Sequence, residues 1–196
     1  MFVTGRSVQD GAIDGDDDVT GIRCDHRNDE DVTAVFERVA RATHGVDILV
    51  NNVWGGYEWM VEVGALTWAQ PFWEQPLWRW DGMFAAGVRA HYHASRLAAP
   101  SMVARRRGVI VNISFWAAQK HIANVAYGVS KAATDKMTAD MAVERTARRS
   151  SSVMPEGTPT TTRGLMRKTR FCVTCLRKCR SINSVMSTSA MTPSFS

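Results

Sequence analysis

The segment GVIVNIS at residues 108–114 is rich in β-branched and aliphatic residues and ends in a polar side chain. The segment VDILVNNV at residues 46–53 has a similar apolar run, ILV, which two asparagines follow. Such runs are typical of strands buried in a parallel sheet. Between them, the sequence predicts a helix from Trp80 to about Val103, which Gly108 separates from the second strand. Strand, helix and strand in this order predict a βαβ unit with a right-handed crossover.

Two further helices flank these strands. Apolar residues recur at helical spacing from Asp31 to Thr43, and the acids just before them suit a helix N-terminus. The sequence from Ala123 to about Arg145 predicts another helix. A chain of 196 residues is long enough for one domain of this kind. We therefore expect an α/β fold, a Rossmann-like doubly wound parallel sheet, over residues 1–145.

Residues 146–196 differ in composition, being basic and rich in Ser and Thr. Of the 24 Lys and Arg and 19 Asp and Glu in the chain, this segment holds nine and one. That leaves fifteen basic and eighteen acidic residues in 1–145, a net charge of −3. We expect a poorly ordered tail, because the segment has neither strand nor helix periodicity. Its abrupt start suggests the hypothesis that a reading-frame change near residue 146 altered the C-terminus.

Composition argues against several classes of protein. The sequence contains no run of eighteen apolar residues, so we expect no membrane partner. The N-terminus lacks a signal-peptide pattern. The four cysteines do not form the framework of a secreted disulfide protein, so we expect a cytoplasmic location. Cys172, Cys175 and Cys179 supply three of the four ligands that structural zinc requires, so we expect no metal site. A nucleic-acid partner ranks low, because no recognised binding fold accompanies the basic tail.

Polar residues follow both predicted strands, at the sheet edge where α/β proteins bind ligands. They are Asn51 and Asn52 after the first strand and Ser114 after the second. Tyr127 and Lys131 are four residues apart, so their side chains share one face of the predicted helix. A nearby cation lowers the pKa of a phenol from about 10, so Lys131 can activate Tyr127 as an acid or base. With Ser114 holding a substrate oxygen, the sequence predicts carbonyl–alcohol redox chemistry.

The segments DILVNN, GVIVNIS and YGVSKAA, in this order, resemble the short-chain dehydrogenase/reductase family across about residues 1–145. NNVWGGYE and PFWEQPLWRWDGMF look closest to its dehydrogenase/reductase family member 1 subgroup. The resemblance implies hydride transfer between a nicotinamide cofactor and a small carbonyl or alcohol substrate, with Ser114, Tyr127 and Lys131 as catalytic residues. Lys131 would also bind the nicotinamide ribose, beside Tyr127. The remaining implied cofactor contacts are Asp25 near the adenine, and Asn51 and Gly55 in the cofactor crevice.

The N-terminal segment departs from the family pattern. Thr4 and Gly5 start like the family's Thr-Gly-x-x-x-Gly-x-Gly loop, but Gln9 stands where the next glycine belongs. The better alignment makes FVTGRS the end of the family's second strand. Arg6 and Ser7 then lie where a member of the family binds the 2′-phosphate of NADP, so Arg6 predicts NADP rather than NAD. On this alignment the sheet is incomplete: its first strand, its glycine-rich loop and the first helix are absent.

Several assignments have alternatives that the sequence leaves open. Arg6 also fits a solvated loop, and Asp25 fits the N-cap of the following helix. Gly87 takes the place of an asparagine that completes a proton relay in many family members. His91 and His93, which follow it, fit packed or surface positions better than a catalytic role.

Two functions follow from this sequence. The leading prediction is an NADP-dependent oxidoreductase, and the alternative is a non-catalytic remnant of the same fold that acts as an interaction module. A homo-oligomer is compatible with both. Trp54, Tyr57 and Trp59 could shape an apolar substrate site, although each also fits the core.

Overall fold

The structure is a computed structural model of the chain, and it describes residues 1–13, 16–58, 60–62, 64–122, 124–151 and 169–174. The strands are β1 (Phe2–Gly5), β2 (Gly11–Ile13), β3 (Asp16–Arg23), β4 (Ile48–Asn51), β5 (Val61–Glu62), β6 (Ala65–Leu66), β7 (Gly108–Ile113) and β8 (Thr169–Thr174). The α-helices are α1 (Asp29–Ala42), α2 (Leu77–Phe84), α3 (Ala90–Ala104) and α4 (Val125–Ser151).

Two three-stranded sheets position the candidate site. In one sheet β7 lies between β4 and β8, all parallel, with Asn51 opposite Asn112. In the other, β3 lies between β1, to which it is parallel, and the antiparallel β2. The predicted strands within 46–53 and 108–114 are confirmed, as is the strand that ends in FVTGRS. Strands β5 and β6 form a separate antiparallel pair.

Helix α1 forms where its periodicity predicted. Asn28 is the N-cap, and its side chain accepts hydrogen bonds from the backbone N–H groups of Glu30 and Asp31. Three acids in the first turn suit the positive end of the helix dipole. Val32 and Val35 face inward and pack in a core cluster with β3. The N-cap is therefore Asn28 and not Asp25, which was the alternative assignment for that aspartate.

The helix expected from Trp80 to Val103 is present but interrupted. α2 and α3 are joined by a π-helical turn at Ala85–Arg89, which has Gly87 at its centre. Such wide turns occur mostly as single-turn bulges inside α-helices, often at functional sites. Helical spacing in the sequence does not reveal the bulge.

The described helices cover one face of the β4–β7 pair. Leu49 and Ile110 lie on this face, in a cluster with residues of α3. Because side chains alternate along a strand, Ile48 and Val50 point to the opposite face, where they are 65% and 56% exposed. Within the described ranges we find no second helical layer of a doubly wound sheet. The predicted incomplete sheet agrees with this, as β1 and β4 each pair on one side only in the part that the structure describes.

Part of the segment predicted as a poorly ordered tail is regular structure. α4 continues to Ser151, and residues 169–174 form β8, which pairs with β7 along its whole length. The sequence TRFCVT has the β-branched and aromatic residues that strands favour, and the edge of β7 offers backbone partners. Cys175 and Cys179 lie outside the described residues, as does most of the tail.

None of the described helices combines the length and apolarity needed to cross a membrane. Across the same residues, no group of three or more His, Cys, Asp or Glu side chains is arranged to hold a metal ion.

Candidate active site

Three predicted catalytic residues meet at the carboxyl end of β7. Ser114 follows this strand and is buried, and its Oγ donates a hydrogen bond to the Lys131 backbone carbonyl at 3.4 Å. Tyr127 and Lys131 lie one turn apart on α4 and are both buried. The ammonium of Lys131 donates to the Ile113 carbonyl, the last residue of β7, at 3.3 Å. The end of β7 and one face of α4 thus lie against each other, with Ser114 on the strand side and Tyr127 and Lys131 on the helix side.

Aromatic rings enclose Tyr127. Its ring lies 5.2 Å from Trp54, 5.5 Å from Trp68 and 5.9 Å from Phe115, measured between centroids. Its hydroxyl forms a hydrogen bond with that of Tyr57. Burial, followed by the neighbouring Tyr57, raises the pKa of Tyr127 well above that of a free phenol. We expected Lys131 to lower this pKa, and in this arrangement the shift has the opposite sign because burial dominates.

The ammonium of Lys131 lies between the helix and an indole ring. Burial lowers the pKa of Lys131 to about 8, and the carboxylate of Asp135 opposes this shift. Its Nζ lies 3.8 Å from the ring centroid of Trp54 and 5.8 Å from that of Tyr127. A lysine with this pKa is partly neutral near pH 8, so its charge responds to small changes around it.

Asn51 lies at the end of β4, with its side chain inside the protein. Its Nδ2 donates to Asn112 Oδ1 at 2.8 Å and to Ser95 Oγ at 3.0 Å. Asn112 in turn donates to Thr138 of α4 at 2.8 Å. This buried network joins β4, β7, α3 and α4. The Asn51 side chain thereby ties the end of β4 to β7 and α3.

Gly55 lies in the loop after β4, where the chain approaches α2 closely. A Cβ at this position would lie 2.9 Å from the Gly82 carbonyl oxygen and 3.0 Å from Ala86. Gly56 has a φ of +89°, which a residue with a side chain adopts only with strain. These two glycines let the loop turn against the helix and carry Tyr57 over Tyr127.

The residues predicted to bind the adenosine end lie at the other sheet. Arg6 follows β1 and Asp25 follows β3, and both line a groove of about 590 Å³ beside α1. Arg6 forms a partly exposed ion pair with Glu58 at 3.0 Å. Hydrogen bonds from Arg27 lower the pKa of Asp25 to about 2. Ser7 is exposed beside Arg6. A flexible, exposed guanidinium next to this groove fits a phosphate of a ligand.

Comparison with known proteins shows the family of this chain. The family model described as short chain dehydrogenase matches residues 7–170. The chain belongs to this family. Human Dehydrogenase/reductase SDR family member 1 is 39% identical over 122 residues, which are 62% of this chain and 38% of the human protein. The chain therefore spans well under half the length of this curated member of the family.

Solved structures of the short-chain dehydrogenase family share the fold. A metagenomic short-chain oxidoreductase in complex with NADP superposes with a TM-score of 0.56 at 27% identity, covering 67% of this chain and 55% of its own. A 7α-hydroxysteroid dehydrogenase complexed with NADH and 7-oxo glycochenodeoxycholic acid has a TM-score of 0.55 at 27% identity, covering 66% and 47%. Both kinds of nicotinamide cofactor therefore occur among these structural neighbours.

The sequence did not predict three neighbours of the catalytic residues. Tyr57 and Trp54 were considered only as pocket wall or core, yet they contact Tyr127 and Lys131 directly. His91 is fully buried on α3, and burial lowers its pKa to about 4. The buried position of His91 agrees with the packed alternative. Its proximity to Lys131 has no signal in the sequence, because it depends on how α3 packs against α4.

Proposed function

We propose that this chain is the catalytic part of an NADP(H)-dependent oxidoreductase that interconverts a carbonyl and an alcohol. The observation that carries the proposal is the meeting of Ser114, Tyr127 and Lys131 at the carboxyl end of β7, in a member of the short-chain dehydrogenase family. The substrate is a small molecule, and the apolar rings around Tyr127 favour one with an apolar body next to its carbonyl.

Each residue has a chemical role in this proposal. Ser114 donates a hydrogen bond to the substrate carbonyl oxygen in place of its bond to the backbone. Tyr127 exchanges its bond to Tyr57 for one to the same oxygen, and gives its proton to that oxygen during reduction. The ammonium of Lys131 stabilises the phenolate that remains. NADPH, when bound, supplies the hydride to the carbonyl carbon. In the oxidation of an alcohol, each transfer runs in reverse.

The adenosine-end residues fit NADP. Arg6 and Ser7 would hold the 2′-phosphate, with Asp25 close to the adenine and Lys131 at the nicotinamide ribose. A guanidinium that is exposed and paired only at the surface can exchange its carboxylate partner for a phosphate at small cost. Asn51 and Gly55 would contribute to cofactor binding indirectly, because they hold in place the backbone at the end of β4 and in the loop that follows it. The sequence contains no glycine-rich loop that could hold the pyrophosphate.

The proposal extends to location and assembly. Cys24 is a buried free thiol, and burial raises its pKa to about 11. A thiol in this state suits the reducing cytoplasm. Self-association would cover the apolar side chains Ile48 and Val50, which the described part of the chain leaves exposed.

The same exposed face favours a second candidate, a non-catalytic remnant that binds a partner through it. Titration of the purified protein with NADPH and with NADH, followed by tryptophan fluorescence, separates the two functions. An oxidoreductase binds NADPH saturably and more tightly than NADH, and Arg6→Ala removes most of that preference. Absence of saturable NADPH binding would refute the enzyme proposal and leave the remnant.

A further inference from the structure

The indole of Trp54 lies between the loop after β4, α4 and the π-helical turn. It extends from the loop after β4 and meets Tyr127 edge to face, with an angle of 90° between the rings. Its face lies 3.8 Å from the ammonium of Lys131. On the remaining side it lies against Gly87 in the π-helical turn. The ring therefore touches two of the proposed catalytic residues at once.

The fit between the indole and Gly87 depends on the missing side chain. A Cβ at residue 87 would lie 2.6 Å from Cζ3 and 2.8 Å from Cε3 of Trp54. These atoms belong to a rigid ring that Tyr127 and Lys131 confine, so the ring cannot yield as a flexible side chain would. Trp54 thus uses the space that a side chain at residue 87 would need.

The ring of Trp54 gives Lys131 its shorter aromatic contact, at 3.8 Å compared with 5.8 Å for the ring of Tyr127. Lys131 is 6% exposed, and the hydrogen bond to the Ile113 carbonyl is long, at 3.3 Å. The face of an indole carries partial negative charge and attracts a cation within about 6 Å, more strongly where water is excluded. The titratable groups that face Lys131 among the described residues are Asp135 and Tyr127 on its own helix and His91 from α3.

We propose that Trp54 is a positioning residue for Lys131, which it holds charged and in place through its ring face, and that Gly87 is the glycine that makes room for it. The inference rests on the proposed function, because it assigns Lys131 its place in that site. Gly87 leaves the space that the ring of Trp54 needs in order to lie beside Lys131.

The ring interaction sets a measurable property of Lys131. Loss of a ring face that stabilises the ammonium lowers the pKa of Lys131, by about one unit for a cation–π contact of ordinary strength in a water-poor site. Trp54→Leu keeps the site apolar and removes the ring, so it shows this shift. Trp54→Phe keeps a smaller ring and shows a smaller one.

The titration of Lys131 can be followed directly by NMR of the lysine Cε and Nζ signals in uniformly ¹³C,¹⁵N-labelled protein, with the Lys131 signal assigned by its loss in Lys131→Arg. The full 196-residue chain is used throughout. Trp116→Leu is the matched control, because Trp116 lies over the exposed Lys120 at 5.4 Å and not over Lys131. This control should leave the Lys131 titration unchanged, which separates the ring contact from a general effect of losing a tryptophan.

A second perturbation tests the pairing with Gly87. Gly87→Ala displaces the indole and should lower the pKa of Lys131 as Trp54→Leu does, but should have no further effect in a Trp54→Ala background. An unchanged or raised pKa of Lys131 in Trp54→Leu would overturn the inference. If Trp54→Leu does not fold, the comparison of Trp54→Phe with wild type decides, and the same Lys131 titration in both would overturn it.

These measurements need neither cofactor nor turnover. Failure of the proposed function would therefore appear as absent NADPH binding while the dependence of Lys131 on Trp54 remains. Failure of the inference would appear as a Lys131 titration that ignores Trp54, whether or not NADPH binds.

Discussion

Replacement of His91 by glutamine should make the stability of this protein less sensitive to acid. His91 is 1% exposed, and its Nε2 lies 3.0 Å from the Val53 carbonyl oxygen. A carbonyl only accepts, so Nε2 carries the hydrogen and Nδ1 is the unprotonated nitrogen. Nδ1 is buried without a hydrogen-bond partner among the described residues. Protonation would therefore bury a charge and an unpaired N–H, with the cation of Lys131 nearby.

The magnitude follows from the pKa of His91, which burial lowers from 6.5 to about 4. The unfolded chain takes up this proton at a higher pH than the folded protein does. The neutral folded form is therefore favoured above pH 6.5, and its stability falls as the pH drops from 6.5 to 4. Between about pH 7 and about pH 4.5, linkage at these two pKa values removes roughly 2–3 kcal/mol from the free energy of unfolding.

Urea unfolding at these two pH values measures the effect. His91→Gln retains an amide donor for the Val53 carbonyl and does not titrate, so its free energy of unfolding should fall by roughly 2–3 kcal/mol less than that of wild type. His121→Gln, at an exposed position, is the control and should fall as wild type does. Equal falls in wild type and His91→Gln would refute the buried neutral state of His91.

Three further predictions concern the polar network, the first helix and the cofactor. Asn112→Ala leaves buried polar partners unsatisfied and should lower the free energy of unfolding in urea by about 2–4 kcal/mol. Asn52→Ala, at an exposed position, is the control and should change it by less than about 0.5 kcal/mol. Similar losses in the two variants would contradict the buried network. Asn28→Ala removes the N-cap of α1 and should cost about 1 kcal/mol in the same assay, and no loss would show that the cap is dispensable. Arg6→Ala should weaken NADPH binding by about tenfold in a fluorescence titration and leave NADH binding unchanged. Arg96→Ala is the control and should affect the binding of neither cofactor. Equal weakening of NADPH and NADH binding in Arg6→Ala would contradict a 2′-phosphate contact.

The sequence predicted those strands and helices whose own residues show the apolar run or the spacing that the element requires. β4 and β7 were evident because their apolar runs are long and bounded by polar or breaking residues. α1 was evident from its spacing, although Asn28 caps it and the helix begins two residues before the predicted start. The π-helical turn was not predictable, because it accommodates the ring of Trp54, which lies thirty-three residues before Gly87 in the sequence.

The positions of Ser114, Tyr127 and Lys131 at one sheet edge were predictable, and the side chains around them were not. Ser114, Tyr127 and Lys131 follow from a strand end and a spacing of four, both of which are local. The predicted pKa direction of Tyr127 was wrong, because burial under rings distant in sequence, followed by the neighbouring Tyr57, raises this pKa. The inward direction of Asn51 had a usable signal, since alternation along β4 puts it on the same face as Leu49.

The role of Tyr127 as the proton donor in carbonyl reduction is tested most directly by the rate of NADPH consumption with a panel of apolar aldehydes and ketones. The chain has three tyrosines, and Tyr92 is exposed on α3, so Tyr92→Phe is a matched control for Tyr127→Phe. We predict carbonyl-dependent NADPH oxidation by wild type and Tyr92→Phe, and a loss of about 100-fold or more in Tyr127→Phe. Equal rates in wild type and Tyr127→Phe, or no carbonyl-dependent oxidation by wild type, would contradict the proposed mechanism.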